Sequence, residues 1–462
     1  KWFARLAQEV TPLLLKNNGP IIAVQVENEY GAFGDDQSYL ENVKNQLIEA
    51  GFGDSLLFTS NQPGDLAKGS LPGLPTVINF GTGDAQKSFA KLAQLYPDGP
   101  RMTGEYWAGW FDKWGEPHHE TDGQKEASEF RWMLEQGYSV SLYMFHGGSS
   151  FGWMNGADSH TTRDYHPDTT SYDYNAPLDE RGDPRYKFDL FRTAIVDVTH
   201  VSPPPLPVSS PSATFPIAST MLTASLWRNL PSPVESKTLL TFEDLDQDYG
   251  YVLYRTGLDR GDGGTLVVDG LHDYAQVYID QQFIGTLDRR NGENGHETLE
   301  LPRQTRTSTL DILVENTGRV NYSKAILTER AGLTGDVTLE GKRFSDWKIY
   351  PLPMDDLSRL HFADETCAGP CFYRATMTVK KAADTYIDTR GLHKGQMWAG
   401  SHNLGRFWTA AGPQFTLYTP GPWLTPGTTT LTFFDLLGDA SDHLSTVDKP
   451  VFGASKSTRE TQ

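Results

Sequence analysis

Cysteine is almost absent from this sequence, which contains only Cys367 and Cys371 among 462 residues. Their close spacing permits a small disulfide loop but does not require one, and two thiols do not identify a redox compartment. A zinc or redox site is the least favoured alternative, because zinc normally needs further ligands close by and none is evident. We predict no metal site here and leave the pair open between a disulfide and free thiols.

Long apolar runs and an excess of basic residues are also missing. No stretch approaches the length of a bilayer span, so no transmembrane helix is predicted. Lys and Arg total 40 against 59 Asp and Glu, and the net charge of −19 argues against nucleic acid as a partner and fits a neutral substrate. The chain starts at Lys1 without a basic leader or apolar signal core, so we expect any targeting segment to lie outside this sequence.

What the sequence does have is enough length for several domains, with 44 glycines and 28 prolines to make turns. A stretch rich in proline and serine, which cannot sustain a helix or a central strand, separates two kinds of pattern. Before it, strands alternate with helices, and after it, short strands follow one another. We predict an α/β domain at residues 1–200, a linker at 201–235, and β-sandwiches at 236–350 and 351–462.

The α/β part contains five predicted strands, around residues 21–26, 56–60, 76–80, 101–107 and 139–145. Strands that alternate with helices predict a parallel sheet, and in barrels of this kind catalytic residues lie at the carboxyl ends of the strands. Two of these strand ends are acidic. The first carries Gln25, Glu27 and Glu29 on one face, where unpaired carboxylates would be costly unless they have polar partners or a function.

The second acidic strand end is Glu105, which is followed closely by Tyr106, Trp107, Trp110 and Phe111. Indole and phenol faces stack on the C–H faces of a sugar, while carboxylates bind its hydroxyls. Two acids on separate strands are also what glycoside hydrolysis requires. Simple packing of the aromatic residues and salt-bridged acids are the structural alternatives.

Two segments carry a specific resemblance, namely residues 25–31 (QVENEYG) and residues 104–115 (GEYWAGWFDKWG). Together they resemble the retaining β-galactosidases of glycoside hydrolase family 35, and the similarity extends through residues 171–177, 248–256, 314–322 and 402–406. The resemblance implies that Glu29 is the acid/base, that Glu105 is the nucleophile, and that Asn28 binds the sugar 2-hydroxyl.

The resemblance also implies substrate-binding aromatic residues and a fold. Trp107 and Trp110 would line the sugar site, and Tyr143, Tyr172 and Tyr174 look like pocket tyrosines, with packing as their alternative. The implied fold is a (β/α)8 barrel followed by two jelly-roll, galactose-binding-like sandwiches. Because five strands are present where the family has eight, we expect the first three βα units to be missing and this chain to have little activity alone.

The predicted function is therefore removal of terminal non-reducing β-galactose from oligosaccharides or glycan chains. The chemistry needs two carboxyl groups and no cofactor, and retention requires them to lie about 5 to 5.5 Å apart. The alternative is a non-catalytic galactoside-binding or interaction protein derived from such an enzyme. For the full-length protein we expect a secreted, periplasmic or lysosome-like location.

Overall fold

The computed structural model describes residues 1–159, 164–218, 222–291, 296–438 and 444–453. The chain divides into two compact units. The first unit comprises Lys1–Trp110, His119–Gly147 and Asp173–Val208, and the second comprises Phe111–His118, Gly148–Tyr172 and Ser209–Gln462. No helix in the described ranges is both long and apolar enough to cross a membrane.

The first unit is built on a five-stranded parallel sheet in which the strands follow chain order. The strands are β1 (Ala23–Gln25), β2 (Leu56–Asn61), β3 (Thr76–Gly81), β4 (Met102–Trp107) and β5 (Ser139–Tyr143). All five strands predicted from the sequence are present, and they form a parallel half-barrel. Within the described part of the chain, β1 pairs only with β2 and β5 only with β4.

Helices alternate with these strands, as the periodicity predicted. They are α1 (Trp2–Val10), α2 (Tyr30–Phe33), α3 (Gln37–Leu47), α4 (Leu66–Gly69), α5 (Ala85–Leu95), α6 (Gly123–Glu135) and α7 (Tyr186–Thr199). Asp36 and Asp122 cap α3 and α6, since each side chain accepts two backbone N–H bonds of the first turn. Apolar residues of α5, α6 and α7 share one core with Phe80 of β3 and Tyr106 of β4.

The second unit begins its regular structure with β6 (Gly156–Asp158) and β7 (His166–Pro167), which form a small sheet with β17 (Arg319–Val320). Its first large module has a six-stranded sheet and a four-stranded sheet around one apolar core. The six-stranded sheet, in spatial order, contains β14 (Gln282–Asp288), β13 (Tyr274–Ile279), β16 (Ser308–Glu315), β10 (Tyr251–Leu258), β21 (Trp347–Leu352) and β9 (Val234–Ser236). The four-stranded sheet contains β15 (His296–Leu301), β11 (Gly264–Asp269), β19 (Val337–Leu339) and β20 (Lys342–Arg343), and β12 (Leu271–His272) pairs separately with β18 (Gly332–Leu333).

The second module also has two antiparallel sheets around its own core. The larger contains β25 (His402–Trp408), β24 (Lys394–Ala399), β27 (Gly427–Asp435), β22 (Cys371–Val379) and β8 (Leu222–Ser225). The smaller contains β26 (Thr416–Thr419), β23 (Thr385–Asp388) and β28 (Ser445–Val447). The edge strand β8 comes from the predicted linker, so that stretch is not wholly irregular.

The two modules repeat one hairpin. The β13–β14 pair has a register shift between Val277 and Tyr278, and the β24–β25 pair has one between Met397 and Trp398. The two hairpins thus share the same irregularity near the middle of their first strand. Cys367 and Cys371 form a disulfide, which decides between the two states that the sequence left open.

Candidate active site

Glu29 lies just beyond β1 and directly before α2, in the first unit. Its backbone is left-handed with φ of 51°, an uncommon conformation for a residue other than glycine, and its N–H donates to the Ser60 carbonyl at 3.0 Å. The side chain is buried, with 9% exposed. Its two carboxylate oxygens accept from the amides of Asn79 and Gln62, each at 2.9 Å. Glu29 is thus held by neutral donors on both oxygens.

Glu105 is half-buried on β4, and one of its oxygens accepts from the indole N–H of Trp107 at 2.8 Å. Burial raises the pKa of Glu105, the indole hydrogen bond opposes that rise, and the nearby charge of Glu29 adds to it. The two glutamates therefore lie close enough to affect each other electrostatically.

Asn79 connects the two acids. It is the register partner of Glu105 across the β3–β4 ladder, and its side chain reaches Glu29. Its carbonyl oxygen accepts from the Ser60 hydroxyl at 2.7 Å. A side chain at Gly104 would lie 2.4 Å from Ser60 Oγ and 2.8 Å from Asn79 Oδ1, so the absence of a side chain there allows β4 to approach this pair.

Aromatic rings surround the Glu105 strand end. Trp107 and Trp110 meet edge to face with centroids 5.5 Å apart, and Trp110 lies 6.2 Å from the ring of Tyr174. Tyr143 contacts Tyr174 edge to face at 5.6 Å. Burial raises the pKa of Tyr174, and the neighbouring Tyr143 and Glu105 add to that rise. Four of the five predicted aromatic site residues thus form one contiguous group.

A buried ion pair lies beside this aromatic group, between Lys187 of α7 and Glu126 of α6, whose charged atoms are 2.9 Å apart. The same ammonium donates to the Ala108 carbonyl at 3.1 Å, directly after β4, and to the hydroxyl of Thr121. Burial lowers the pKa of Lys187, whereas its contact with Glu126 opposes this shift. A neighbouring cavity of about 380 Å³ is lined by Thr82, Trp107, Trp110, Thr121, Asp122, Lys125 and Glu126, with Gly81 and Gly109.

Comparison with known proteins shows the family. Residues 1–198 match the model of glycosyl hydrolases family 35, residues 240–353 match the first all-beta domain of beta-galactosidase, and residues 370–429 match its galactose-binding domain. A beta-galactosidase from Xanthomonas manihotis is 46% identical over 89% of this chain and 69% of its own length. This chain belongs to glycosyl hydrolase family 35.

Two further comparisons show lower similarity to this family 35 chain. A human beta-galactosidase is 36% identical over 98% of this chain and 72% of its own length. Among solved structures, a beta-glucuronidase from Bacteroides uniformis aligns over 97% of this chain and 56% of its own, at 12% identity and a TM-score of 0.28.

The remaining site predictions for the family 35 chain concern Asn28 and Tyr172. Asn28 is exposed, and its side-chain oxygen accepts from the side-chain amide of Gln25 at 2.9 Å. Tyr172 belongs to the second unit, where its ring stacks on Phe111 with centroids 5.6 Å apart. Their roles remain predictions.

Sequence reasoning missed Ser60, Gln62 and Asn79, which complete the surroundings of Glu29 in this family 35 chain. A signal was available, because Asn79 is a polar residue between apolar ones in a strand pattern, and Ser60 and Gln62 flank a strand end. Such residues need partners when buried.

The described residues contain one group of His and acidic side chains close enough to hold a cation, namely His272, Asp273 and Glu329 in the second unit. Arg289 donates to both acids of that group, at 2.8 and 3.0 Å. The guanidinium already occupies oxygens of both carboxylates and offsets part of their charge, which does not fit a metal centre.

Proposed function

We propose that this family 35 protein is an exo-acting, retaining β-galactosidase that releases terminal non-reducing β-D-galactose from oligosaccharides or glycans. The observation that carries the proposal is the pair of glutamates at the carboxyl ends of β1 and β4, connected through Asn79 of β3, beside a wall of indole and phenol rings. The curated relatives named beta-galactosidase support the choice of galactose.

In the proposed reaction, Glu105 attacks the anomeric carbon while Glu29 protonates the oxygen of the departing group. The bond between anomeric carbon and leaving oxygen breaks as the bond to the Glu105 carboxylate forms. Glu29, now ionised, then accepts a proton from water, and that water displaces Glu105 from the sugar. Two displacements at one carbon retain its configuration, which requires carboxyl groups about 5 to 5.5 Å apart.

One contact of Glu105 supports its proposed role as the nucleophile. The Trp107 indole favours the ionised form of Glu105, as a nucleophile requires. In the proposed site, Asn28 binds the sugar 2-hydroxyl, and Trp107 and Trp110 cover an apolar face of the ring. Tyr143, Tyr172 and Tyr174 are proposed to complete the galactose pocket.

The finer architecture is part of the proposal. We infer that the half-barrel belongs to a (β/α)8 barrel, and that the two β modules are jelly rolls bounded near residues 236–350 and 351–462. A half-barrel leaves the Glu29 strand without a neighbour on one side, so we expect little activity from the 462-residue chain alone. The Cys367–Cys371 disulfide supports an oxidising location, such as a secreted, periplasmic or lysosome-like one.

Stereochemistry tests the two roles most directly. The test uses an extended form, in which the three βα units that the family resemblance implies are added at the N-terminus. Glu105→Gly should be inactive on an aryl β-galactoside, and azide added to it should yield an α-galactosyl azide, because azide replaces the carboxylate as the attacking group. Glu29→Ala should lose about 100-fold or more, and azide should then yield the β-azide, since it replaces the activated water. The opposite products would reverse the roles.

The alternative, a non-catalytic galactoside-binding protein, predicts no turnover from the extended form and unchanged sugar binding when either glutamate is replaced. The aromatic residues of the second β module offer it little support. Trp398, Phe407 and Trp408 are buried at 5%, 1% and 7% exposure, so their faces are used in packing.

A further inference from the structure

A buried amide controls the surroundings of Glu29. Asn79 has no exposed surface, and its two polar atoms have different partners. The Ser60 hydroxyl donates to its oxygen at 2.7 Å, and its nitrogen donates to Glu29 at 2.9 Å. Because the hydroxyl occupies the oxygen side, the amide cannot rotate without losing both bonds. Ser60 thereby directs the N–H of Asn79 at the carboxylate.

The position of Asn79 also depends on β4. It is paired in register with Glu105, and the register shifts just before this pair. Gly104 lies against it with no room for a side chain, as the 2.8 Å approach to Asn79 Oδ1 shows. Strand β4, which carries Glu105, therefore fixes the position of Asn79, and the Asn79 amide in turn holds the side chain of Glu29.

We propose that Asn79, oriented by Ser60, is a positioning residue that holds the Glu29 carboxylate in place. This inference rests on the proposed function only in treating Glu29 as the acid/base. A neutral donor at this point allows Glu29 to gain and lose a proton beside Glu105, whereas an acid at the same point would compete for that proton.

The charged groups near Glu29 act separately from its contact with Asn79. Glu105 faces it from β4, and the side chains that donate to it, Gln62 directly after β2 and Asn79 of β3, are neutral. Near the adjacent helix α4, Asp65 and Lys68 pair with each other at 3.2 Å. Glu27 accepts from the Tyr39 hydroxyl of α3, which raises the pKa of Tyr39 to about 12.

An exchange of partners tests the pairing without any need for turnover. Asn79→Asp keeps the shape but places two carboxyl groups against each other, so they must share a proton. Unfolding of the 462-residue chain is followed by calorimetry at several pH values. Relative to wild type, the midpoint temperature of the first transition in Asn79→Asp should fall by roughly 5 °C as the pH rises from about 5 to about 8. Adding Glu29→Gln restores one amide and one carboxylate in exchanged positions, so the double variant should recover most of that loss.

Asn61 provides the matched control, because it is a buried asparagine at the end of β2 whose side chain bonds to backbone groups. Its oxygen accepts from the Gly31 N–H at 3.1 Å, and its amide donates to the Gly69 carbonyl at 2.9 Å. Asn61→Asp should also destabilise the chain, but Glu29→Gln should not rescue it. Rescue of both variants, or of neither, would overturn the proposal.

Kinetics in the extended form then separates positioning from simple structural support. Asn79→Asp should move the basic limb of the kcat/KM profile to higher pH, because the added carboxylate favours the protonated form of Glu29. A uniform loss at every pH, with the limb unmoved, would reduce Asn79 to a structural residue. If the wild type turns over no galactoside while the calorimetric rescue holds, the proposed function fails and the pairing of Asn79 with Glu29 stands.

Discussion

Trp107 combines two roles that are usually separate. Its ring packs edge to face against Trp110, and its N–H donates to Glu105 at 2.8 Å. The apolar part of the side chain therefore shapes the aromatic wall, while the polar edge acts on a carboxylate. A phenyl ring can replace the first role but not the second.

We accordingly predict that Trp107→Phe in the extended form lowers kcat/KM by about tenfold, the equivalent of one hydrogen bond to a charged group. Loss of the indole N–H removes the contact that holds the pKa of Glu105 down, so the acid limb of the kcat/KM profile should move to higher pH. The sign follows because Glu105 must be ionised to attack. Trp132→Phe on α6 is the control, and a shift of its acid limb as well would contradict the assignment.

At the scale of elements, two ion pairs join helices α6 and α7, one buried and one exposed. Lys187 and Glu126 are both nearly inaccessible, at 1% and 2% side-chain exposure. Arg131 and Asp197 join the same two helices at the surface, where both are well exposed. Breaking a buried pair leaves an uncompensated charge, whereas an exposed pair contributes little.

Lys187→Met should therefore cost about 3 kcal/mol or more of unfolding free energy in the first unit. Adding Glu126→Gln should recover part of that cost, because the remaining buried group is then neutral. Arg131→Ala should cost less than about 1 kcal/mol. Denaturant unfolding measures all three, and equal costs for Lys187→Met and Arg131→Ala would mean that the buried pair is not a structural support.

The elements themselves were largely predictable, because periodicity and strand-end signals depend on neighbours in sequence. The five parallel strands lie within a few residues of their predicted bounds. The edge strand β8 was missed, since a proline-rich context masks four residues that form a strand only by pairing with β22.

The contacts of Glu29 could not be predicted in the same way. Asn79 reaches it across 50 residues of sequence and Gln62 across 33, and the register shift at Gly104 depends on side chains of two other strands. A sequence shows that a buried polar residue needs a partner, but not which one. The acids at the strand ends were visible, whereas the amides that bind them were not.

For the molecule as a whole, we predict that closure of the sheet determines activity. The 462-residue chain should hydrolyse an aryl β-galactoside at least about 100-fold more slowly than the extended form, because a displacement of about 1 Å in a reacting group costs that much. The β modules should unfold alike in both forms, as each has its own core. Activity of the short chain within about tenfold of the extended form would show that closure matters little.

The disulfide has a practical consequence for labelling. Cys367 and Cys371 are the only cysteines of the chain, and they are joined to each other, so alkylating reagents find no thiol under non-reducing conditions. A single cysteine introduced at the exposed position Asp35, between α2 and α3, would be the sole point of attachment for a fluorophore or spin label. The chain can thus be labelled at one introduced thiol without replacing its native cysteines, and the label can report sugar binding beside Glu29.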